Sequence, residues 1–296
     1  MFSLPRVLVP LVLSLVWIGA ESHAAVTTKK SNAKLTVKGD DANDAIILGG
    51  SGALGDVQVM VDGLLVAEFT GIRDIDVRTE GGDDEVGIHG VKIGGSLHVL
   101  TGTGVDDVEI RNRDRLLTDD ACVFVGRDLD VKLGGQDGDE FECELSSAQF
   151  PAIVGRTLSI RGATSINVDG IGQSFDAESG DLLIGSDLKI RSDTPKATTA
   201  SLHVLRIDDV AVGGNSQWIL SNAVDEVLVR EPAFVGKVVA KLGGGDDSFI
   251  VPDAPHASAF SSSVNLSGGA GVADFVQLGD GPYASPPAVE QFELEQ

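Results

Sequence analysis

Apolar and polar residues alternate along this chain in short runs. Leu97-His98-Val99, Leu129-Asp130-Val131, Val86-Gly87-Ile88 and Val108-Glu109-Ile110 each put every second side chain on one face. A period of two belongs to a half-buried β-strand. No long stretch carries the period of a helix, so the pattern predicts an all-β protein.

The runs recur. The series Asp-x-apolar-x-apolar starts at Asp44, Asp84, Asp106, Asp139, Asp247 and Asp274, and five of the six copies follow a Gly-rich stretch. A second series, Val or Ile, Gly, two residues, then an aliphatic, interleaves with it. It begins at Ile93, Val125, Val154, Ile184 and Val235, with first steps of 32, 29 and 30 residues. The longer last step holds Ser201-Leu202-His203-Val204-Leu205, which reads as a further strand without its glycine.

Each unit of about 30 residues reads as strand, Gly/Asp turn, strand and variable return. Such a unit cannot bury an apolar face alone, but stacked copies can. The expectation is a parallel β-helix (β-solenoid) over 25–280, with equivalent residues of successive coils about 4.8 Å apart. Leu97, Leu129, Leu158 and Leu188 should then point inward in register. A β-sandwich of similar short strands is the alternative. Three prolines between Gly281 and Pro287 cannot donate ladder hydrogen bonds. The tail 281–296 is therefore expected to stop regular stacking, with Val289 to Leu294 folding back as a cap.

The first residues read as an export signal. Arg6 precedes the apolar run Val7 to Ile18, and Ser22-His23-Ala24 places small residues for cleavage. The run is shorter than the roughly 20 residues that span a bilayer. Segment 1–24 is expected to be removed, leaving a secreted, extracellular or cell-surface chain.

The net charge of −23 changes the choice of partners. It argues against nucleic acid, whose phosphates need clustered Lys and Arg. It leaves metal cations, basic partners and extracellular surface or matrix components. Cys122 and Cys143 lie 21 residues apart. They could form a disulfide between neighbouring coils or serve as small buried residues. Cys143 occupies an apolar position after Asp139 and should be buried.

Gly134-Gly135-Gln136-Asp137-Gly138-Asp139-Glu140-Phe141 resembles the haemolysin-type calcium-binding nonapeptide, Gly-Gly-x-Gly-x-Asp-x-apolar-x. Gly102-Thr103-Gly104-Val105-Asp106-Asp107-Val108 and Gly243-Gly244-Gly245-Asp246-Asp247-Ser248-Phe249 are similar to it. The longer unit also resembles repeats of large secreted bacterial proteins. The resemblance implies a β-roll or β-helix, export and Ca²⁺. In that family the nonapeptides run in tandem. Here Asp139 and Asp247 are 108 residues apart; Asp208-Asp209-Val210 and Asp225-Glu226-Val227 between them keep the acid but lose the glycines. The candidate ligands are Asp84, Asp106 and Asp139, with Asp83, Asp107, Asp137, Asp246 and Asp247. Calcium takes about six to eight hard oxygens and would relieve repulsion between stacked carboxylates. Each doubled acid would turn one carboxylate to the ion and one to solvent. Without an ion, the same residues suit tight turns.

Catalytic signals are thin. His89, His98, His203 and His256 show no metal-ligand spacing, and neither a nucleophile elbow nor a phosphate loop is present. Arg127 and Arg156 sit at equivalent motif positions, as repeat residues on a solvated face would. The reading is a non-enzymatic repeat protein with a structural, adhesive or cell-surface role. The alternative is a polysaccharide-active β-helix of lyase or hydrolase type, drawing on Arg111, Arg113, Arg115, Arg127 and Arg156.

Overall fold

The computed structural model describes residues 26–112, 122–135, 138–145, 152–169, 182–192, 202–230, 232–252, 259–269, 274–279, 283, 285–290 and 293–294. The expected signal segment and Asp137 lie outside them. Among the described residues every regular element is a strand. The strands form three long sheets of eleven, twelve and seven members.

From Asp74–Arg78 onward the chain visits the sheets in a fixed cycle. Asp74–Arg78 lies in the eleven-stranded sheet, Glu85–His89 in the twelve-stranded one and Lys92–Ile93 in the seven-stranded one. Leu97–Leu100 then returns to the first sheet, parallel to Asp74–Arg78. The cycle continues through Ala259–Phe260, Val264–Ser267 and Phe275–Leu278.

The expected leucine register is present. Leu129 pairs with Leu97 and Leu158, and Leu158 with Leu188. All four are buried, each contributing roughly 1.5–3 kcal/mol by leaving water. Ser216 continues this column, and Trp218, two residues on, supplies bulk nearby. Its ring packs 5.7 Å from Phe234 and 6.1 Å from Phe249. Phe260 and Tyr283 extend the aromatic cluster.

The Val-Gly motif has a packing cause. A Cβ on Gly155 would run into the carbonyl oxygen of Gly126, and one on Gly185 into that of Gly155. Only hydrogen fits where successive turns approach this closely.

Two features depart from the expectation. The N-terminal part is antiparallel: Thr27–Ser31 pairs with Lys34–Lys38, and Ala45–Gly50, Val57–Val61 and Leu64–Phe69 form a meander. At the other end, the segment expected to fold back keeps the stacking direction. Ala288–Glu290 pairs parallel with Val264–Ser267, and Glu293–Leu294 with Phe275–Leu278. Pro286 and Pro287 fall in the connection before these strands, so their missing N–H groups cost no ladder bond; Pro282 lies outside the described residues.

Candidate functional site: the stacked aspartates

In the twelve-stranded sheet Ala45 pairs with Glu85, Glu85 with Asp107, and Asp107 with Glu140. The residues just before them, Asp44, Asp84, Asp106 and Asp139, therefore stack in one column. Glu226, Ser248 and Phe275 are likewise in register, which stacks Asp225, Asp247 and Asp274. Every one of these seven aspartates is at most 4% exposed.

Backbone hydrogen bonds link these residues along the column. The N–H of Asp44 donates to Oδ1 of Asp84 at 2.8 Å, that of Asp84 to Asp106 at 3.1 Å, and that of Asp106 to Asp139 at 3.0 Å. Asp225 donates to Asp247 and Asp247 to Asp274, both at 3.0 Å. At Asp106 and Asp139 the other carboxylate oxygen reaches into its own turn: Oδ2 of Asp106 accepts from the Thr101 hydroxyl at 2.6 Å, and Oδ2 of Asp139 from the Gly135 N–H at 2.7 Å. These two aspartates thus close their own turns and tie them to the preceding ones.

Asp83 and Asp84 divide this work. Oδ1 of Asp83 accepts from the N–H of Val105 in the next circuit, whereas Asp84 accepts from Asp44 in the previous one. Asn43 receives the N–H of Asp83 in the same forward sense. The expectation that one of each doubled acid faces solvent fits Asp83, which is exposed, but this carboxylate also bonds the neighbouring turn. Asp106 and Asp107 differ. Asp106 is the rung, and Asp107 begins the strand beside Glu85 and Glu140. Asp246 is exposed and Asp247 is a rung.

Between the two aspartate runs the column passes through Thr164 and His203. Thr164 keeps the connection. Its Oγ1 accepts from the Gly138 N–H at 3.1 Å and donates to the Asp139 carbonyl at 3.0 Å. The rung at Asp225 lacks the glycine signature, and Thr164 lacks the acid. Asp208 and Asp209 are not rungs; Asp208 ends the strand Leu202–Asp208 and pairs with Arg230 at 2.7 Å.

Burial dominates the electrostatics. It raises the carboxyl of Asp44 to about 6 and that of Asp247 to about 7, over the hydrogen bonds that oppose it and with neighbouring aspartates adding to it. Asp84 is raised by burial, and Asp106 reinforces the shift. Asp107 is pushed up to about 6 by burial, then by Glu140, Glu142 and Glu85. Among the described residues no group of three or more His, Cys, Asp or Glu is gathered so as to hold a metal ion.

The remaining candidates are dispersed. His89 is buried, with Nε2 3.8 Å from Glu109, while His98 is half-exposed beside Asp130. Arg111 pairs with Glu109. Arg127 and Arg156 are exposed as expected. Arg113, Arg115 and His256 lie outside the described residues. No disulfide joins Cys122 to Cys143; Cys143 is fully buried, and burial pushes the half-buried Cys122 thiol up. One depression of about 20 Å³ lies among Asn167, Arg206, Asp208 and Arg230, room for a water molecule. No family model, curated protein or solved structure matches the chain.

Proposed function

We propose that this chain is an exported, non-catalytic, three-sided parallel β-solenoid with a structural or adhesive role at a cell surface. The carrying observation is the use of the repeated acids. They are spread along the stack as acceptors for backbone N–H groups rather than gathered at one cleft. The cyclic visiting of three parallel sheets favours a solenoid over a sandwich, whose sheets are antiparallel. The apolar leader supports export.

Calcium belongs to this proposal as a stabiliser of the acidic turns, where Asp83 and Asp246 are exposed. Carbonyl and water oxygens would complete its shell, in the low-affinity range of extracellular modules. The test has two arms. Fractionation with mass spectrometry should find a mature N-terminus at Ala25 outside the cytoplasm. Calorimetry should show a higher melting temperature in millimolar Ca²⁺ than in Mg²⁺. A full-length cytoplasmic chain would sink the export reading, and an unmoved melting temperature the calcium reading.

One observation favours the enzymatic alternative: Arg206, Asp208 and Arg230 converge away from the repeat turns. That reading requires cleavage of an acidic polysaccharide that is lost in Asp208→Asn.

A further inference from the structure

The two ends of the stack differ in charge and in reach. At the N-terminal end the eleven-stranded sheet stops at Thr27–Ser31 and the twelve-stranded sheet at Leu64–Phe69; at the other end they stop at Ala288–Glu290 and Glu293–Leu294. Among the described residues no strand lies beyond any of these four. An open strand edge carries N–H and C=O groups ready for another strand. Repeat proteins close their ends with a polar outer face. Here Leu64, Leu65 and Val66 of the outermost strand are 70%, 51% and 51% exposed.

Charge selects the strand that fits this edge. From Val26 to Lys38 the chain carries Lys29, Lys30, Lys34 and Lys38 and no acid, whereas no Lys or Arg follows Lys241. Lys34 and Lys38 pair with Asp76 and Glu80, and Lys30 donates to the Thr70 carbonyl. Lys29 is exposed and in register with Thr36, on the face away from buried Leu35 and Val37. Glu290 is exposed and in register with Ser267, on the face away from buried Leu266. Lys29 and Glu290 thus lie on the outer face of one sheet, at its opposite ends. Two copies of a chain with net charge −23 repel each other. That repulsion is least where the basic end of one meets the acidic end of the next.

We propose that copies of this chain join head to tail, the Leu64–Phe69 edge of one adding to the Glu293–Leu294 edge of the next. Strand direction allows it. Leu64–Phe69 runs parallel to Ala45–Gly50 through the antiparallel meander, and Glu293–Leu294 runs parallel to Phe275–Leu278, so one direction continues through the joint. At the N-terminal end the twelve-stranded sheet extends three strands past Glu85–His89, and the eleven-stranded sheet two past Asp74–Arg78. The joint therefore leaves one rung open beside Thr27–Ser31. Lys29 and Glu290 face each other across it, about 9.6 Å apart at the backbone, within the combined reach of their side chains. Main-chain bonds and burial of Leu64, Leu65 and Val66 supply the attraction. The ion pair selects the polarity. A heterologous contact of this kind extends into a filament when it does not close into a ring. Such assembly deepens the surface role proposed above and rests on its stacked fold; a chain that stayed monomeric would leave export and coil register untouched.

The test is sedimentation velocity of the purified chain over a range of concentrations, at roughly 20 and 300 mM NaCl. At low salt the mean mass should rise with concentration past that of a dimer, and at high salt the same growth should need more protein. Leu65→Glu/Val66→Glu blocks the head and Glu290→Lys/Glu293→Lys the tail; each should weaken association roughly tenfold by setting like charges against each other. Circular dichroism checks that both variants are folded. Mixed together, the head-blocked and tail-blocked chains should form pairs and nothing longer. Lys29→Glu alone should weaken growth about fivefold, the scale of an exposed ion pair, and Glu290→Lys in the same chain should restore it. Three results would overturn the proposal: a monomer at every concentration, growth that stops at a dimer, or wild-type growth in a folded head-blocked chain. Pairing of the tail-blocked chain with itself would show a head-to-head joint and overturn it as well, and a charge swap that restores nothing would overturn the facing of Lys29 and Glu290.

Discussion

Oδ1 of Asp106 accepts the backbone N–H of Asp84 at 3.1 Å, joining two turns 22 residues apart in sequence. The carboxylate is 1% exposed, and its Oδ2 holds the Thr101 hydroxyl. Asp106→Ala would leave a buried N–H and a buried hydroxyl without their acceptor. Each unsatisfied group costs about 1–3 kcal/mol, so the variant should lose about 2–6 kcal/mol in urea unfolding. Asp106→Asn keeps an amide oxygen for the N–H and should lose less. Equal losses would mean that charge, not the hydrogen-bonded rung, is what matters there.

Protonation should stabilise the stack in mild acid. Asp44, Asp107 and Asp247 have folded-state carboxyls raised to about 6, 6 and 7, against 3.8 unfolded. Between these limits the folded chain holds more protons than the unfolded one, so stability falls as pH rises through that window. Asp76 works in the opposite sense. Burial pushes it up, but hydrogen bonds from Arg78 and Lys34 hold it below 3.8; its stabilisation is lost as pH falls below that value. The melting temperature should therefore rise between pH 8 and pH 5 and drop again below about pH 3.5. A continuous fall from pH 8 downward would contradict the buried-carboxyl account.

The glycine column gives a control within one motif. Gly155→Ala would press a methyl group into the Gly126 carbonyl, whereas a Cβ on Gly94 meets nothing within 4 Å. Gly155→Ala should cost about 1–3 kcal/mol by overpacking, and Gly94→Ala under about 1 kcal/mol. Chemical denaturation of the two variants separates them; equal stability would remove the close approach as the reason for the motif.

Truncation after Gly281 should remove Tyr283, whose ring stacks 5.0 Å from Phe260, and the final strands of two sheets. The exposed parallel edges would pair with other chains. Light scattering should show aggregation at a lower temperature than in the full chain, and unchanged scattering would contradict this.

Much of this architecture is legible in the sequence because burial imposes a period. Leu97, Leu129, Leu158 and Leu188 share a column because the Val-Gly motif fixes their distance from a turn that, at Gly126, Gly155 and Gly185, leaves no room for a side chain. The six motif aspartates are visible for the same reason. Asp225 and Thr164 are harder to read: Asp225 joins the column by donating its N–H to Asp247 without the glycines, and Thr164 accepts from the Gly138 N–H without the acid. The antiparallel meander from Ala45 to Phe69 alternates like any strand, so its direction leaves no mark in the pattern. The stacking of Lys132, Arg161 and Arg191 is hidden by distance: they are 29 and 30 residues apart and become neighbours only through the register.

The register between successive circuits is the claim on which the account depends. It can be measured by disulfide trapping in a background with Cys122 and Cys143 replaced by serine and alanine. Asp130 and Ser159 are Cα partners on the outer face of the eleven-stranded sheet, and Lys189 lies one circuit further. A cysteine pair at 130 and 159 falls within disulfide reach, whereas 130 and 189 are separated by about 9.6 Å, two coil spacings. Under mild oxidation the 130/159 variant should form an intramolecular disulfide in nearly all molecules and the 130/189 variant in few. Equal trapping of the two pairs, or none at 130/159, would contradict the stacked circuits.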